Sequence, residues 1–148
     1  MARLWVNESQ RVFFDRLINN EDRKWFTTLV IELLNRNFRM NMEHDVIFGS
    51  EKIKFGDLLK LDAPIRLYEE IRDHNKLMKT LNGLLDEYNV TNSNKMNLVF
   101  FEDAIEHILR ISRSLKQPRG NIMLIGVGGS GKQSLTKLSS FMRDIQFR

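Results

Sequence analysis

Residues 121 to 134 read NIMLIGVGGSGKQS, and this stretch decides how the rest of the chain is interpreted. An apolar run of strand length leads into a glycine-rich turn that ends in Gly131 and Lys132. The apolar spacing that follows, with Leu135 and Leu138, indicates a helix. Strand, glycine-rich turn and helix in this order match the Walker A pattern G-x-x-x-x-G-K-[ST].

The residue types in this turn suit a bound phosphate for steric and electrostatic reasons. Glycines let backbone N–H groups turn toward a common centre without a Cβ in the way. A helix that begins near Lys132 adds the positive end of its dipole, and the lysine ammonium adds a mobile charge. We therefore predict that ATP or ADP is bound by Gly126, Val127, Gly128, Gly129, Ser130, Gly131, Lys132, Gln133 and Ser134.

One position departs from the pattern. Gln133 stands where a hydroxyl side chain normally follows the lysine and ligates Mg²⁺. Ser134 could take over that role only if the start of the helix shifted. The sequence therefore predicts phosphate binding, identifies no catalytic residue, and leaves Mg²⁺ binding and hydrolysis open. A glycine-rich turn that binds no ligand is the alternative.

Composition excludes several classes of function. The 148 residues suffice for one ordinary globular domain, with 42% hydrophobic and 28% charged residues. The net charge of +4 is not concentrated in a basic run, so no nucleic acid is expected as a partner. The chain has no cysteine, its three histidines lie far apart, and no apolar run reaches membrane length. We therefore expect no thiolate metal site, no membrane partner and a location in the cytoplasm.

Upstream of the turn, the apolar spacing predicts mainly helices. Residues 1–17 read as a first helix, and residues 19–22 as a stop followed by a new helix N-cap. One face of the first helix would carry Trp5, Val12, Phe13 and Leu17. The second helix has an apolar stripe that is broad enough to bury one whole side, formed by Trp25, Phe26, Leu29, Val30, Leu33 and Leu34.

The middle of the chain is less regular. Short apolar pieces at 46–49 and 53–56, each closed by glycine, read as loop anchors or brief strands. Residues 62–64, Asp-Ala-Pro, read as the start of a short helix that continues through Ile65, Tyr68 and Ile71. A longer helix ending at Asn89 would bury Leu77, Leu81, Leu84, Leu85 and Tyr88.

The polar residues between 90 and 97 are the best candidate for a domain boundary. Beyond them, an amphipathic helix that a turn at 117–120 ends would bury Ala104, Ile105, Ile108, Leu109 and Ser112. Only residues 133–148 follow Lys132, which leaves no room for the acidic strand and the parallel strands that a P-loop nucleotidase needs. We therefore expect a piece of a longer protein that does not hydrolyse ATP by itself.

Several segments, which together extend over nearly the whole chain, resemble the heavy chains of axonemal dyneins. Those similar to the helical small subdomain of the third AAA+ module are RLWVNE (3–8), RVFFDRL (11–17), FGD (55–57), YEEI (68–71) and YN (88–89). Those similar to the start of the fourth module are NLVFF (97–101), AIEHI (104–108) and GVGGSGKQSL (126–135).

This resemblance implies a mainly α fold with three parts. Residues 1–90 would be a helical AAA+ small (lid) subdomain, and residues 91–97 a linker. Residues 98–148 would be the first strand, P-loop and helix of an incomplete α/β P-loop (AAA+) domain. Within this scheme Leu98 and Val99 would contact the adenine side of the nucleotide, and residues 91–95 would act as a hinge.

The resemblance also implies a function, namely ATP-driven, microtubule-based movement in cilia or flagella. The Gly-Lys-Gln-Ser form recurs in fourth modules, so the site would be regulatory. Implied partners are the rest of the heavy-chain ring, microtubules and dynein accessory chains, and the implied location is the cytoskeleton of the axoneme. The competing interpretations are a helical protein-interaction module with an inert P-loop-like turn and a small nucleic-acid-binding protein.

Overall fold

The computed structural model describes residues 1–41, 43–48, 53–61 and 63–145, and it is mostly helical. The chain forms two compact units, one of Met1–Phe55 with Tyr68–Ile71 and one of Gly56–Leu67 with Arg72–Arg148. In chain order the elements are α1 (Ala2–Val12), a 3₁₀ turn (Phe14–Arg16), α2 (Asn20–Phe38), α3 (His44–Phe48), β1 (Phe55–Gly56), β2 (Glu69–Glu70), α4 (His74–Thr91), α5 (Glu102–Lys116) and α6 (Lys132–Phe141).

The first unit is built around one row of the α2 stripe. Phe26, Val30 and Leu34 are buried, and Val6 of α1 packs into the same core. The predicted N-cap between the first two helices is confirmed, since Asn19 Oδ1 accepts a hydrogen bond from the Asp22 amide at 2.7 Å. This cap satisfies one of the amides that the first turn of a helix leaves unpaired.

The other row of the α2 stripe is not buried. Trp25 is 64% exposed, and its row faces an open apolar cavity of about 490 Å³. The predicted face of α1 lies in the same cavity, whose lining includes Trp5, Val12, Phe13, Leu17, Trp25, Leu29 and Leu33. The prediction of a fully buried side is therefore wrong for this row, because α1 packs on α2 through its Ala2 and Val6 face instead.

Two further predictions in this region are wrong. Residues 46–48 belong to helix α3, which places Ile47 in the core. The segment from Ile65 to Ile71 is not a helix, because β2 pairs with β1 and the Ile71 amide donates to the Lys54 carbonyl at 2.9 Å. Backbone pairing thus outweighs the helix-like spacing of the apolar residues. Gly49 and Asp62, which also belonged to these predictions, lie outside the described residues.

The second unit contains α4, α5 and α6, and the predicted buried faces of α4 and α5 are confirmed. Leu135 and Leu138 provide the buried side of α6. The Tyr88 ring meets the Phe141 ring edge-on, with their centroids 5.4 Å apart. The predicted turn at 117–120 is also confirmed, since the Gly120 amide donates to the Gln117 carbonyl at 2.9 Å.

Asn89 closes the polar loop that follows α4. Its side-chain nitrogen donates to the Met96 carbonyl at 2.9 Å, and its Oδ1 accepts from the Met96 amide at 2.7 Å. The helix continues to Thr91, two residues past the predicted end. The whole of 91–97 lies within the second compact unit, so a module boundary at these residues stays a prediction.

Replacing Asn89 with alanine is expected to lower the free energy of unfolding by about 1–2 kcal/mol, because two half-buried hydrogen bonds are lost. Urea unfolding measures the stability, and hydrogen exchange at the Met96 amide measures the loop closure. The matched control is Asn82→Ala, since Asn82 lies on the same helix and donates only to the Met78 carbonyl one turn earlier. Unchanged exchange at Met96 in Asn89→Ala would contradict the closure.

Candidate functional site

The apolar segment before the glycine-rich turn is not a strand in this structure, so that prediction is wrong. Residues 121–127 have no strand beside them in the described parts of the chain. A β-strand needs a neighbour for its N–H and C=O groups, and the two-stranded sheet consists of β1 and β2. Met123 and Ile125 are accordingly 82% and 88% exposed.

The two glycines on either side of Ser130 have a left-handed backbone conformation. Gly129 and Gly131 both have a φ of 77°, a conformation that residues with a Cβ rarely adopt. Helix α6 begins at Lys132 with Gly131 as its N-cap residue, and no side chain caps its first turn. The amides of that turn are therefore left to bind an anion, with the positive end of the helix dipole beside them.

Lys132 folds back over the turn. Its ammonium donates to the carbonyls of Gly126 and Val127 at 2.7 and 2.5 Å, and to Ser130 Oγ at 3.0 Å. A Cβ on Gly126 would lie 3.1 Å from Ser130 Oγ and 3.5 Å from Lys132 Nζ. The structure thus brings together four of the predicted residues around one positive charge, and Gly126 permits the close approach.

Gln133 and Ser134 both lie in the first turn of α6. Because the helix starts at Lys132, Ser134 stays two residues past the lysine, and Gln133 keeps the position of the usual Mg²⁺ ligand. Within the described residues, no group of three or more His, Cys, Asp or Glu side chains is placed to hold a metal ion. The first turn of α6 therefore offers uncapped amides and the Lys132 ammonium, and the described residues supply no conventional ligand for Mg²⁺.

Two residues that were predicted to contact adenine lie in the segment before α5. Leu98 is half-buried, and Val99 is 76% exposed. The next residue, Phe100, packs into the interior, which fixes this segment at the start of the helix. The contact with adenine stays a prediction.

Comparison with known proteins identifies the family. The model for the family described as "P-loop containing dynein motor region D4" matches residues 96–148. Dynein axonemal heavy chain 6 of Homo sapiens is 46% identical over 140 residues, and heavy chain 3 of Mus musculus is 44% identical over 154 residues. These alignments cover 93% and 97% of this chain. The chain is a homologue of one segment of the axonemal dynein heavy chains.

The predicted resemblance to axonemal dynein heavy chains is thus confirmed, with a match to a dynein motor region at residues 96–148, and the names of the relatives agree with the predicted axonemal location. This chain spans only 3% and 4% of the length of these two relatives. Dynein axonemal heavy chain 1 of Homo sapiens gives the same picture, with 39% identity over 99% of the chain and 3% of the relative. No helix in the described ranges is both long and apolar enough to cross a membrane.

The second unit of the chain also holds a buried ion cluster that sequence reasoning missed. Asp57, which is 3% exposed, accepts from both terminal nitrogens of Arg143, at 2.7 and 2.5 Å, and from Lys116 Nζ at 3.0 Å. Burial by itself would raise the pKa of Asp57, but hydrogen bonds from Arg143 and Lys116, together with their charges, outweigh it. The pKa therefore lies below the ordinary value of a carboxyl.

The cluster joins Asp57 and Arg66 to the ends of two helices. The Arg66 guanidinium donates to the carbonyl of Met142, the residue after α6, at 2.8 Å. Lys116, at the end of α5, donates to the Arg66 carbonyl at 3.3 Å, and Ser112 Oγ accepts from Arg143 Nε at 3.0 Å. No sequence pattern could have found the central pair, because Asp57 and Arg143 are 86 residues apart.

Proposed function

We propose that residues 126–134 bind the phosphates of ATP or ADP at a regulatory site of an axonemal dynein motor. The observation that carries the proposal is the pair of left-handed glycines beside Lys132, at the start of a helix whose first turn no side chain caps. These features supply backbone amides, a helix dipole and an ammonium at one place, which is the chemistry that an anionic ligand needs. Gln133 argues for nucleotide binding without efficient turnover.

Within that motor, we propose that residues 1–90 act as the helical lid of one AAA+ module. Residues 98–148 would begin the next module, with its glycine-rich turn and helix α6, and Leu98 and Val99 would face the adenine. Residues 91–97 would link the two, with a hinge at 91–95. Support comes from the match of residues 96–148 to the dynein D4 family and from the Asn89 contacts that close the loop.

The relatives also bear on the activity of the parent protein. We propose that it drives ATP-powered movement along microtubules in cilia or flagella, with the rest of the heavy-chain ring and dynein accessory chains as partners. The support is the name that the relatives share, axonemal heavy chains of dynein. This segment would contribute regulation of the ring by nucleotide and no hydrolysis of its own.

A second candidate function is a helical protein-interaction module with an inert P-loop-like turn. The open apolar cavity of about 490 Å³ in the first unit favours it, since large apolar side chains such as Trp25 and Phe13 are exposed there. The contacts of Lys132 with carbonyl oxygens of its own turn also fit this alternative.

Titration of the chain with a fluorescent ATP analogue separates the two candidates. Nucleotide binding predicts a saturable signal that unlabelled ADP displaces, because the contacts are to phosphates. No saturable signal, or one that ADP does not displace, would contradict the nucleotide site and favour the interaction module.

A further inference from the structure

The glycine-rich turn and the buried ion cluster lie at opposite ends of the same helix. Helix α6 starts at Lys132, directly after the turn, and ends at Phe141, two residues before Arg143. Ten helical residues span about 15 Å and form a stiff element. A helix held firmly at one end has its other end in a fixed position. The contacts of Arg143 therefore influence the position of the glycine-rich turn.

The end of α6 is held by two side chains of one loop. Asp57 binds the Arg143 guanidinium through both carboxylate oxygens, a planar geometry that fixes orientation as well as distance. Arg66, from the same loop, donates to the Met142 carbonyl. Lys116 contacts both the Asp57 carboxylate and the Arg66 carbonyl, which closes a ring of contacts around this helix end.

The anchor is buried, so it is insulated from water and salt. The side chains of Asp57 and Arg143 are 1% and 10% exposed. Separating a buried pair of this kind is strongly unfavourable, because the remaining charge would be left uncompensated. The loop 56–61 and the end of α6 should therefore move as one body.

We propose that Asp57 and Arg143 are positioning residues for the phosphate-binding turn, and that they couple the loop containing Asp57 to occupation of that turn. The inference rests on the proposed nucleotide site. A ligand that holds the turn and Lys132 also fixes α6, and through Arg143 it fixes Asp57. By reciprocity, releasing Asp57 lets α6 shift and weakens ligand binding by the same factor.

Loss of the Asp57–Arg143 contact lowers the ligand affinity because it makes helix α6 less ordered. When the anchor is intact, α6 already presents its amides and Lys132 in one arrangement. When it is lost, the ligand must first immobilise the helix, which lowers the affinity without removing any contact to the ligand. Since typical couplings are about 5- to 150-fold, we expect about tenfold weaker binding of the ATP analogue by Asp57→Asn.

The experiment is a double-mutant cycle in the complete 148-residue chain. Asp57→Asn, Arg143→Lys and the double variant are titrated with the fluorescent ATP analogue, after circular dichroism has shown equal helix content. Arg143→Lys keeps the charge but loses the two-pronged geometry, so it serves if Asp57→Asn does not fold. We expect both single variants to weaken binding and the double variant to be no weaker than Asp57→Asn, because both act through one contact.

A second readout tests coupling in the opposite direction. Hydrogen exchange at the Asp57 and Leu58 amides should slow when inorganic pyrophosphate is added to the wild type, and should not respond in Arg143→Lys. A purely structural ion pair would give slow exchange that pyrophosphate does not change. The control is Glu106→Gln, the same loss of a carboxylate from an ion pair with Arg110 within α5.

The outcomes separate the two proposals. If the wild type binds the analogue and the variants bind it equally well, the positioning role is wrong and the nucleotide site stands. If the wild type itself binds neither the analogue nor pyrophosphate, the nucleotide site is wrong and the coupling falls with it. Weaker binding by the single variants, without further loss in the double variant, supports the coupling.

Discussion

Replacing Lys132 with alanine is expected to weaken binding of a fluorescent ATP analogue by about a hundredfold. The ammonium lies within the turn, where it contacts Gly126, Val127 and Ser130. Two charge-assisted hydrogen bonds to phosphate, each of about 1.5 kcal/mol, correspond to this loss, since about 1.4 kcal/mol is a factor of ten.

The matched control is Lys137→Ala, which removes the same charge from the same helix five residues further along. It should leave the affinity within about twofold, because Lys137 lies more than one helical turn from the glycine-rich turn. Helix content is compared by circular dichroism, so that loss of binding is not mistaken for loss of fold. Equal binding by Lys132→Ala and the wild type would contradict the role of the lysine.

The second large effect is expected at Asp57. Replacing it with asparagine should lower the free energy of unfolding by about 3 kcal/mol, because the charges of Arg143 and Lys116 would lose their buried counter-charge. Urea unfolding measures the change. Glu106→Gln, on the more accessible pair within α5, should cost less than about 1 kcal/mol. Equal losses of unfolding free energy in the two variants would contradict the claim that the buried carboxylate of Asp57 stabilises the fold more than that of Glu106.

The same residue predicts how stability depends on pH. The pKa of Asp57 is lower in the folded chain than in the unfolded chain, where a carboxyl titrates near about 4. The contribution of Asp57 to the free energy of unfolding is therefore fully present above the pKa of the unfolded chain. It is lost as the pH falls through the lower pKa of the folded chain. Wild-type stability should fall below about pH 4 more steeply than that of Asp57→Asn, and parallel curves would contradict the assignment.

Sequence patterns predicted those parts of the fold that depend on local chemistry. The Asn19 cap, the leucine face of α4 and the start of α6 after Gly131 all follow from residue type and spacing. The glycines at 129 and 131 have a positive φ, which glycine adopts more readily than other residues. In each case the deciding signal is the identity or the spacing of residues that are close together in the sequence.

The predictions that failed concern contacts between distant parts of the chain. Tyr68 and Ile71 have helical spacing, but pairing with Lys54 and Phe55 determines their structure. Residues 121–125 are apolar enough for a strand, yet strand formation depends on a neighbour that the segment itself does not contain. The Asp57–Arg143 contact joins residues with no shared motif, so only the folded structure reveals it.

The central claim is that the amides of the glycine-rich turn gather around an anion. Its most direct test is an NMR titration of the chain with inorganic pyrophosphate, following the amide resonances of Gly129, Gly131 and Lys132. The account predicts large, saturable shifts at these three amides and no comparable shift at Gly83, a glycine within α4. Shifts of equal size at Gly83 and in the turn, or none in the turn, would contradict it.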